Sequence, residues 1–87
     1  MSKIDKLVGK FLRKPADVSF DEVVTLLEAF GYSERHSGTG SHRVFTRPGN
    51  LPIIVPTTKG RRVKGTYIRM IVDRLGLEEY YEKQSDS

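Results

Sequence analysis

Hydrophobic residues recur at helical spacing over residues 3–13 and predict a short amphipathic helix that ends before Pro15. The residues of its apolar stripe are Ile4, Leu7, Val8, Phe11 and Leu12.

A second helix is predicted over residues 20–30. Ser19 is a favourable N-cap, and Glu22 three positions later completes a capping box. Gly31 is a natural C-terminal stop. The apolar stripe consists of Val23, Leu26, Leu27 and Phe30.

The pattern then changes to short segments of β character separated by turn residues. Strands are predicted at Tyr32–Ser37, Ser41–Arg47 and Leu51–Val55, with turns at residues 38–40 and 48–50. Tight turns between consecutive strands predict an antiparallel meander.

The last third begins with a polar, basic loop, Thr57–Gly65, after which Thr66 is expected to cap a helix that ends at Gly76. Leu77–Lys83 is expected to add one helical turn, and Gln84–Ser87 is expected to fray. The stripe of the last helix is Ile68, Ile71, Val72 and Leu75.

These elements predict an α+β fold in which two helices cover one face of a three-stranded antiparallel sheet, with an extra N-terminal helix. The element order matches the double-stranded-RNA-binding-domain type of fold, which is a fold-level analogy. We divide the chain into an N-terminal helical extension (1–18), one functional domain (19–83) and a frayed tail (84–87).

Composition narrows the chemistry. The chain has no cysteine and two histidines, so disulfides and thiolate metal sites are excluded, and we predict neither a metal nor a cofactor. No apolar run is long enough for a membrane span or a secretory signal, so we expect a cytoplasmic protein.

The charge distribution favours an anionic partner. The net charge is +4. The segment from Arg35 to Arg74 contains nine lysines and arginines but only one acidic residue, Asp73. Nucleic acid is the first candidate, although many small proteins carry modest positive charge without such a partner.

The segment with most chemical content is Gly38-Thr39-Gly40-Ser41-His42-Arg43. Glycines allow close backbone approach of a ligand, and an imidazole can take and return a proton near neutral pH, as RNA transesterification requires. The neighbouring arginine can hold a phosphate. A lone strand histidine is also a common structural residue, so this pattern alone leaves both roles open.

Strand alternation separates the candidate side chains. Phe45 is expected in the core, which places Arg43 on its face and directs His42 and Val44 away from the helices. His36, late in the first predicted strand, is either a second proton carrier or an exposed bystander.

The basic loop is the second candidate region. Its cations precede the start of the last helix, where free amides and the helix dipole attract phosphate, although basic loops are often simply solvated. The residues concerned are Lys59, Arg61, Arg62, Lys64 and Thr66.

An ordered set of segments resembles the HicA toxins, the messenger-RNA-cleaving partners in HicA–HicB toxin–antitoxin pairs. The resemblance covers residues 19–77. The segments are Leu26-Leu27-Glu28-Ala29-Phe30-Gly31-Tyr32, Gly40-Ser41-His42-Arg43-Val44-Phe45, Ile53-Ile54-Val55-Pro56, Lys64-Gly65-Thr66 and Leu75-Gly76-Leu77.

The resemblance implies a fold like that of double-stranded-RNA-binding domains, metal-independent endoribonuclease activity and inhibition by a HicB-type antitoxin. The catalytic histidine of the family follows the Gly-Ser pair, which corresponds to His42. Arg43 stands where the family pattern often has a second histidine, so a mechanism with two motif histidines is in doubt.

Two other function classes remain open. A non-catalytic RNA-binding module of the same fold would bind RNA without needing His42. A scaffold protein would dock an acidic partner through its basic face. A titrating group beside the Gly-Ser turn distinguishes the nuclease from both.

Overall fold

The computed structural model describes residues 3–35 and 42–86. Within these residues it contains four helices and five short strands. In chain order they are α1 (Lys3–Leu12), β1 (Asp17–Ser19), α2 (Phe20–Ala29), β2 (Ser33–Arg35), β3 (His42–Thr46), β4 (Ile53–Pro56), β5 (Arg62–Lys64), α3 (Gly65–Leu75) and α4 (Leu77–Asp86).

The first two predicted helices are confirmed within about one residue of their predicted bounds. The capping box of α2 is present in full: the backbone N–H of Glu22 donates to Ser19 Oγ, and the N–H of Ser19 donates to Glu22 Oε1. Gly31 follows the helix with a positive φ of 91°, which a glycine adopts without steric cost. Local signals therefore determine both ends of α2.

The antiparallel meander is also confirmed, with the strand order β2-β3-β4. In its register Phe45 lies opposite Ile53 and Arg43 lies opposite Val55. Phe45, Ile53 and Val55 are all buried, so this is the face that packs on the helices. Each strand is shorter than predicted within the described residues, and the predicted turn at residues 38–40 lies outside them.

A second, two-stranded sheet was not predicted. The strands β1 and β5 pair antiparallel with Val18 opposite Val63, and both valines are fully buried. The prediction of a loop over Thr57–Gly65 was therefore wrong in part. Each strand contributes one inward side chain, which is too few to produce a recognisable alternation.

The predicted cap of the last helix was wrong. Helix α3 begins at Gly65, its N-cap is Lys64 without a side-chain hydrogen bond, and Thr66 is already inside the helix. The N–H of Gly65 donates to the carbonyl of Ala16 at 2.8 Å. A Cβ at residue 65 would lie 3.1 Å from the carbonyl oxygen of Pro15, a tight contact, so the close approach of backbone to backbone favours glycine.

The C-terminal helix is longer than the single turn that was predicted. Gly76 ends α3 in the left-handed conformation, and α4 then continues to Asp86 with Leu77 fully buried. The ring of Tyr80 packs edge-on against Phe30 with centroids 5.2 Å apart. Both terminal helices thus contribute to one core. The fully buried large side chains include Phe11, Phe45, Leu26, Leu27, Ile53, Ile68, Ile71 and Leu77.

The architecture is α+β, with a three-stranded antiparallel sheet, a two-stranded sheet and four helices in the described residues. The division into residues 1–18, 19–83 and 84–87 stays a prediction. Of the helices that the structure describes, none has the length and apolar character to span a bilayer.

Candidate functional site

His42 is the first residue of the central strand β3 and is exposed. It lies opposite Pro56, the last residue of β4, and shares its face of the sheet with Val44 and the half-exposed Ile54. The prediction that His42 points away from the core is confirmed. The chain also leaves β4 at this end of the sheet and enters the basic loop. Only two residues after Pro56, Thr58 forms a β-bridge with Arg62 of that loop.

Arg43 projects from the opposite face of β3. Its Nη1 donates to Glu34 Oε2 on β2 at 2.9 Å, and its guanidinium carbon lies 5.6 Å from the centre of the Phe20 ring. The side chains of Arg43 and Glu34 are 36% and 22% exposed, so the pair is partly accessible to solvent. His42 and Arg43 therefore lie at the same end of β3 but on opposite faces of the sheet.

Arg61 reaches this sheet end from the basic loop. Its backbone is left-handed, with a φ of 57°, a conformation that costs a residue with a side chain about 1–2 kcal/mol. The carbonyl of Arg61 accepts the N–H of Phe20 at 2.8 Å, and its Nη2 donates to Asp21 Oδ1 at 3.1 Å. The loop is thus attached to the first turn of α2 through backbone and side chain.

Phe20 brings the two arginines together. The guanidinium carbon of Arg61 lies 5.5 Å from the ring centre over which Arg43 also lies, so the two carbons are at most about 11 Å apart. The ring is nearly buried and packs against Phe45 with centroids 6.1 Å apart. This placement on a rigid core side chain restricts both cations.

The other predicted cations of the loop lie farther along it. Arg62 forms an ion pair with Asp17 across the two-stranded sheet, while Lys59 and Lys64 are exposed and form no ion pair with any residue in 3–35 or 42–86. Thr66 is exposed in the first turn of α3. The prediction of free backbone amides at this helix start is wrong for Gly65, because its N–H donates to the carbonyl of Ala16.

Three acidic residues at this site were not predicted. Asp17, Asp21 and Glu34 bind Arg62, Arg61 and Arg43 respectively. The Arg43–Glu34 pair is the least exposed of the three, whereas the Arg61–Asp21 pair is largely exposed and restrains Arg61 only weakly. No local sequence pattern identifies these carboxylates, because their partners are 9 to 45 residues away along the chain.

Four predicted positions, Gly38, Gly40, Ser41 and His36, lie outside the described residues. Across the part of the chain that is described, no group of three or more His, Cys, Asp or Glu side chains is arranged to hold a metal ion.

One family model, described as HicA toxin of bacterial toxin–antitoxin, matches residues 20–77. Comparisons with curated proteins and with solved structures gave no match. The matched segment covers two thirds of the 87 residues and contains Phe20, His42, Arg43 and Arg61, so the whole sheet end described above lies within it. The chain therefore belongs to the HicA family, the toxins of bacterial toxin–antitoxin systems.

Proposed function

We propose that the protein is an endoribonuclease that cleaves messenger RNA without a metal ion, with His42 as its catalytic residue. The observation that carries this proposal is the position of His42. It is an exposed imidazole at a sheet end that also holds Arg43 and the basic loop, inside the segment that matches the toxin family.

The proposed reaction is transesterification within the RNA strand. The 2′-oxygen attacks the adjacent phosphorus, the bond to the 5′-oxygen breaks, and the products carry a 2′,3′-cyclic phosphate and a 5′-hydroxyl group. His42 acts either as general base on the 2′-hydroxyl or as general acid on the leaving 5′-oxygen. Such proton transfer typically accelerates a reaction by about 10²–10⁴-fold.

The cations at the sheet end bind the phosphates in this proposal. Arg43 and Arg61 are the best supported, because both guanidinium groups lie over the nearly buried Phe20 ring, and Glu34 also binds Arg43 in a partly buried pair. An oriented guanidinium loses less entropy when it binds a phosphate. The complete proposed RNA-binding set is Gly38, Gly40, Ser41, Arg43, Lys59, Arg61, Arg62, Lys64 and Thr66.

We further propose a HicB-type antitoxin that inhibits the protein by covering His42. The half-exposed Ile54 and the exposed His42 share one sheet face, a surface of mixed polarity that a protein partner can cover.

We also propose that the fold is like that of double-stranded-RNA-binding domains. The element order α2-β2-β3-β4-α3 supports this comparison.

The test is incubation of the purified chain with messenger RNA in the presence of a chelator. We expect cleavage products that end in a 2′,3′-cyclic phosphate. Salt-sensitive binding without any products would favour the non-catalytic RNA-binding module instead. A chain that neither binds nor cleaves RNA at moderate salt would contradict both.

A further inference from the structure

A groove of about 350 Å³ lies between α1 and the first turn of α2, outside the proposed cleavage site. Three lysines of α1, Lys3, Lys6 and Lys10, line it, with Leu7 among them. The start of α2 contributes Asp21 and Glu22.

The carboxylates of this groove are already engaged. Asp21 accepts a hydrogen bond from Arg61, and Glu22 accepts from Lys10 and from the N–H of Ser19. Lys3 and Lys6 are exposed and form no ion pair with any residue that the structure describes. The groove therefore carries excess positive charge, concentrated on the first two turns of α1.

The acidic and basic residues of α1 lie on different sides of the helix, which leaves the groove side more positive. Asp5, the acidic residue of its first turn, accepts a hydrogen bond from the hydroxyl group of Tyr80 on α4, and Gly9 faces Tyr81 on the same helix. The acidic residue of α1 is thus held against α4, whereas Lys3 and Lys6 line the groove beside α2.

The groove adjoins the proposed RNA site through Asp21. Asp21 lines the groove, is bonded to Arg61, and follows Phe20, the ring over which Arg43 and Arg61 lie. Arg61 is therefore one hydrogen bond away from a residue that lines the groove. Exposed lysines along one side of a helix, beside a candidate phosphate site, suit the regularly charged backbone of a nucleic acid.

We propose that the α1–α2 groove is an extension of the RNA-binding site, in which Lys3 and Lys6 bind backbone phosphates of the substrate strand beyond the cleavage point. This inference rests on the proposed function, because it requires RNA to be the substrate. The family match begins at Phe20, so α1 adds this surface outside the matched segment.

The test compares the wild-type chain with the double variant Lys3→Gln/Lys6→Gln on two RNAs that share one cleavable sequence. One RNA has about 4 nucleotides and the other is extended on both sides to about 20, because single-stranded sites span roughly 4–16 nucleotides. We expect the variant to raise KM about tenfold for the long RNA and to leave kcat and KM for the short RNA unchanged. The slope of log affinity against log salt should fall by about 1.4 for the long RNA, at about 0.7 per lost contact.

Lys83→Gln is the matched control, since Lys83 is an exposed lysine on α4 away from the groove, and it should behave as wild type on both RNAs. If the double variant cleaves the long RNA with wild-type KM and salt dependence, the inference is overturned while the proposed function stands. If it is impaired only in binding an acidic protein partner, the groove is a protein-docking surface and the inference is likewise overturned. A wild-type chain that cleaves neither RNA contradicts the proposed function itself.

Discussion

The hydroxyl group of Tyr80 donates a hydrogen bond to Asp5 Oδ1 across 2.9 Å and thereby joins α4 to α1. The same ring packs against Phe30 at the end of α2. Apart from Leu77, both terminal helices lie outside the matched segment 20–77. This contact, together with the buried Phe11 and Leu77, makes the terminal helices part of the core of the toxin domain.

Replacing Tyr80 with phenylalanine should lower the free energy of unfolding by about 1 kcal/mol at pH 7, because one hydrogen bond is lost. The hydrogen bond to Asp5 raises the pKa of Tyr80, with burial adding to the effect. Because the pKa of Tyr80 is higher in the folded state, the protonated hydroxyl group stabilises the fold. This contribution is complete below the ordinary pKa near 10 and is lost as the pH rises through the folded-state pKa. Urea denaturation should therefore show the wild-type advantage at pH 7 shrinking above about pH 10.

Tyr81→Phe is the control for this comparison, since Tyr81 is 40% exposed. Equal stability of Tyr80→Phe and wild type at pH 7 would contradict the role of the Tyr80–Asp5 contact.

Replacing Glu22 with glutamine tests the charged start of α2. The hydrogen bond from Lys10 is the main cause that lowers the pKa of Glu22, and the bonds from Ser19 add to it against the opposing effect of burial. Because the pKa of Glu22 is lower in the folded state, the ionised carboxylate stabilises the fold. This contribution is complete above the ordinary pKa near 4.3 and is lost as the pH falls through the folded-state pKa. We expect the variant to lose about 0.5–1 kcal/mol at pH 7, and the gap to wild type to shrink as the pH is lowered towards about 3.

Urea denaturation at both pH values measures this gap, with Glu28→Gln as the control on an exposed position of the same helix. A gap that persists unchanged at pH 3 would mean that the charge of Glu22 does not stabilise the fold.

Two glycines in helices should respond to alanine in opposite directions. At Gly65 a Cβ would lie 3.1 Å and 3.2 Å from the carbonyl oxygens of Pro15 and Ala16, so the start of α3 would have to move, at a cost of about 1–3 kcal/mol. At Gly9 the nearest atom is Tyr81 Cε1 at 3.8 Å, an ordinary contact, so alanine should stabilise α1 by about 0.5–1 kcal/mol. Thermal unfolding of both variants measures the difference, and a midpoint for Gly65→Ala at or above that of wild type would contradict this packing.

Arg43→Ala should weaken RNA binding and reduce the salt slope by about 0.7, if Arg43 contacts one phosphate. Binding is best measured in the presence of the His42→Ala change, so that the RNA stays intact. Arg69→Ala is the matched control, because Arg69 is exposed on α3 and forms no ion pair within residues 3–35 and 42–86. Equal losses in the two variants would show that Arg43 contributes only general positive charge.

The helices were largely predictable because their signals are local. The capping box of Ser19 and Glu22 and the helical repeat that follows occupy a dozen consecutive residues, and they determine α2 whatever its tertiary surroundings. The sheet formed by β1 and β5 was not predictable, because the buried pair Val18 and Val63 is brought together only by tertiary folding. The start of α3 was misplaced for a related reason, since the contact of Gly65 with Ala16 has no sequence pattern.

At the candidate site, the outward direction of His42 was predictable because Phe45 determines the phase of β3. The surroundings of the arginines were not. Glu34 binds Arg43 and Asp21 binds Arg61 across 9 and 40 residues of sequence. Both arginines lie over the Phe20 ring only because α2 packs against the loop. Sequence patterns therefore indicated which residues are chemically competent, whereas the fold determines how they are oriented.

The most direct measurement is the rate at which purified His42→Ala cleaves RNA in the presence of a chelator, relative to wild type. We predict a rate at least about 100-fold lower, with the unfolding midpoint and the RNA affinity unchanged, since the exposed ring is proposed to transfer a proton. Cleavage by a folded His42→Ala chain at the wild-type rate would contradict the assignment of His42 as the catalytic residue.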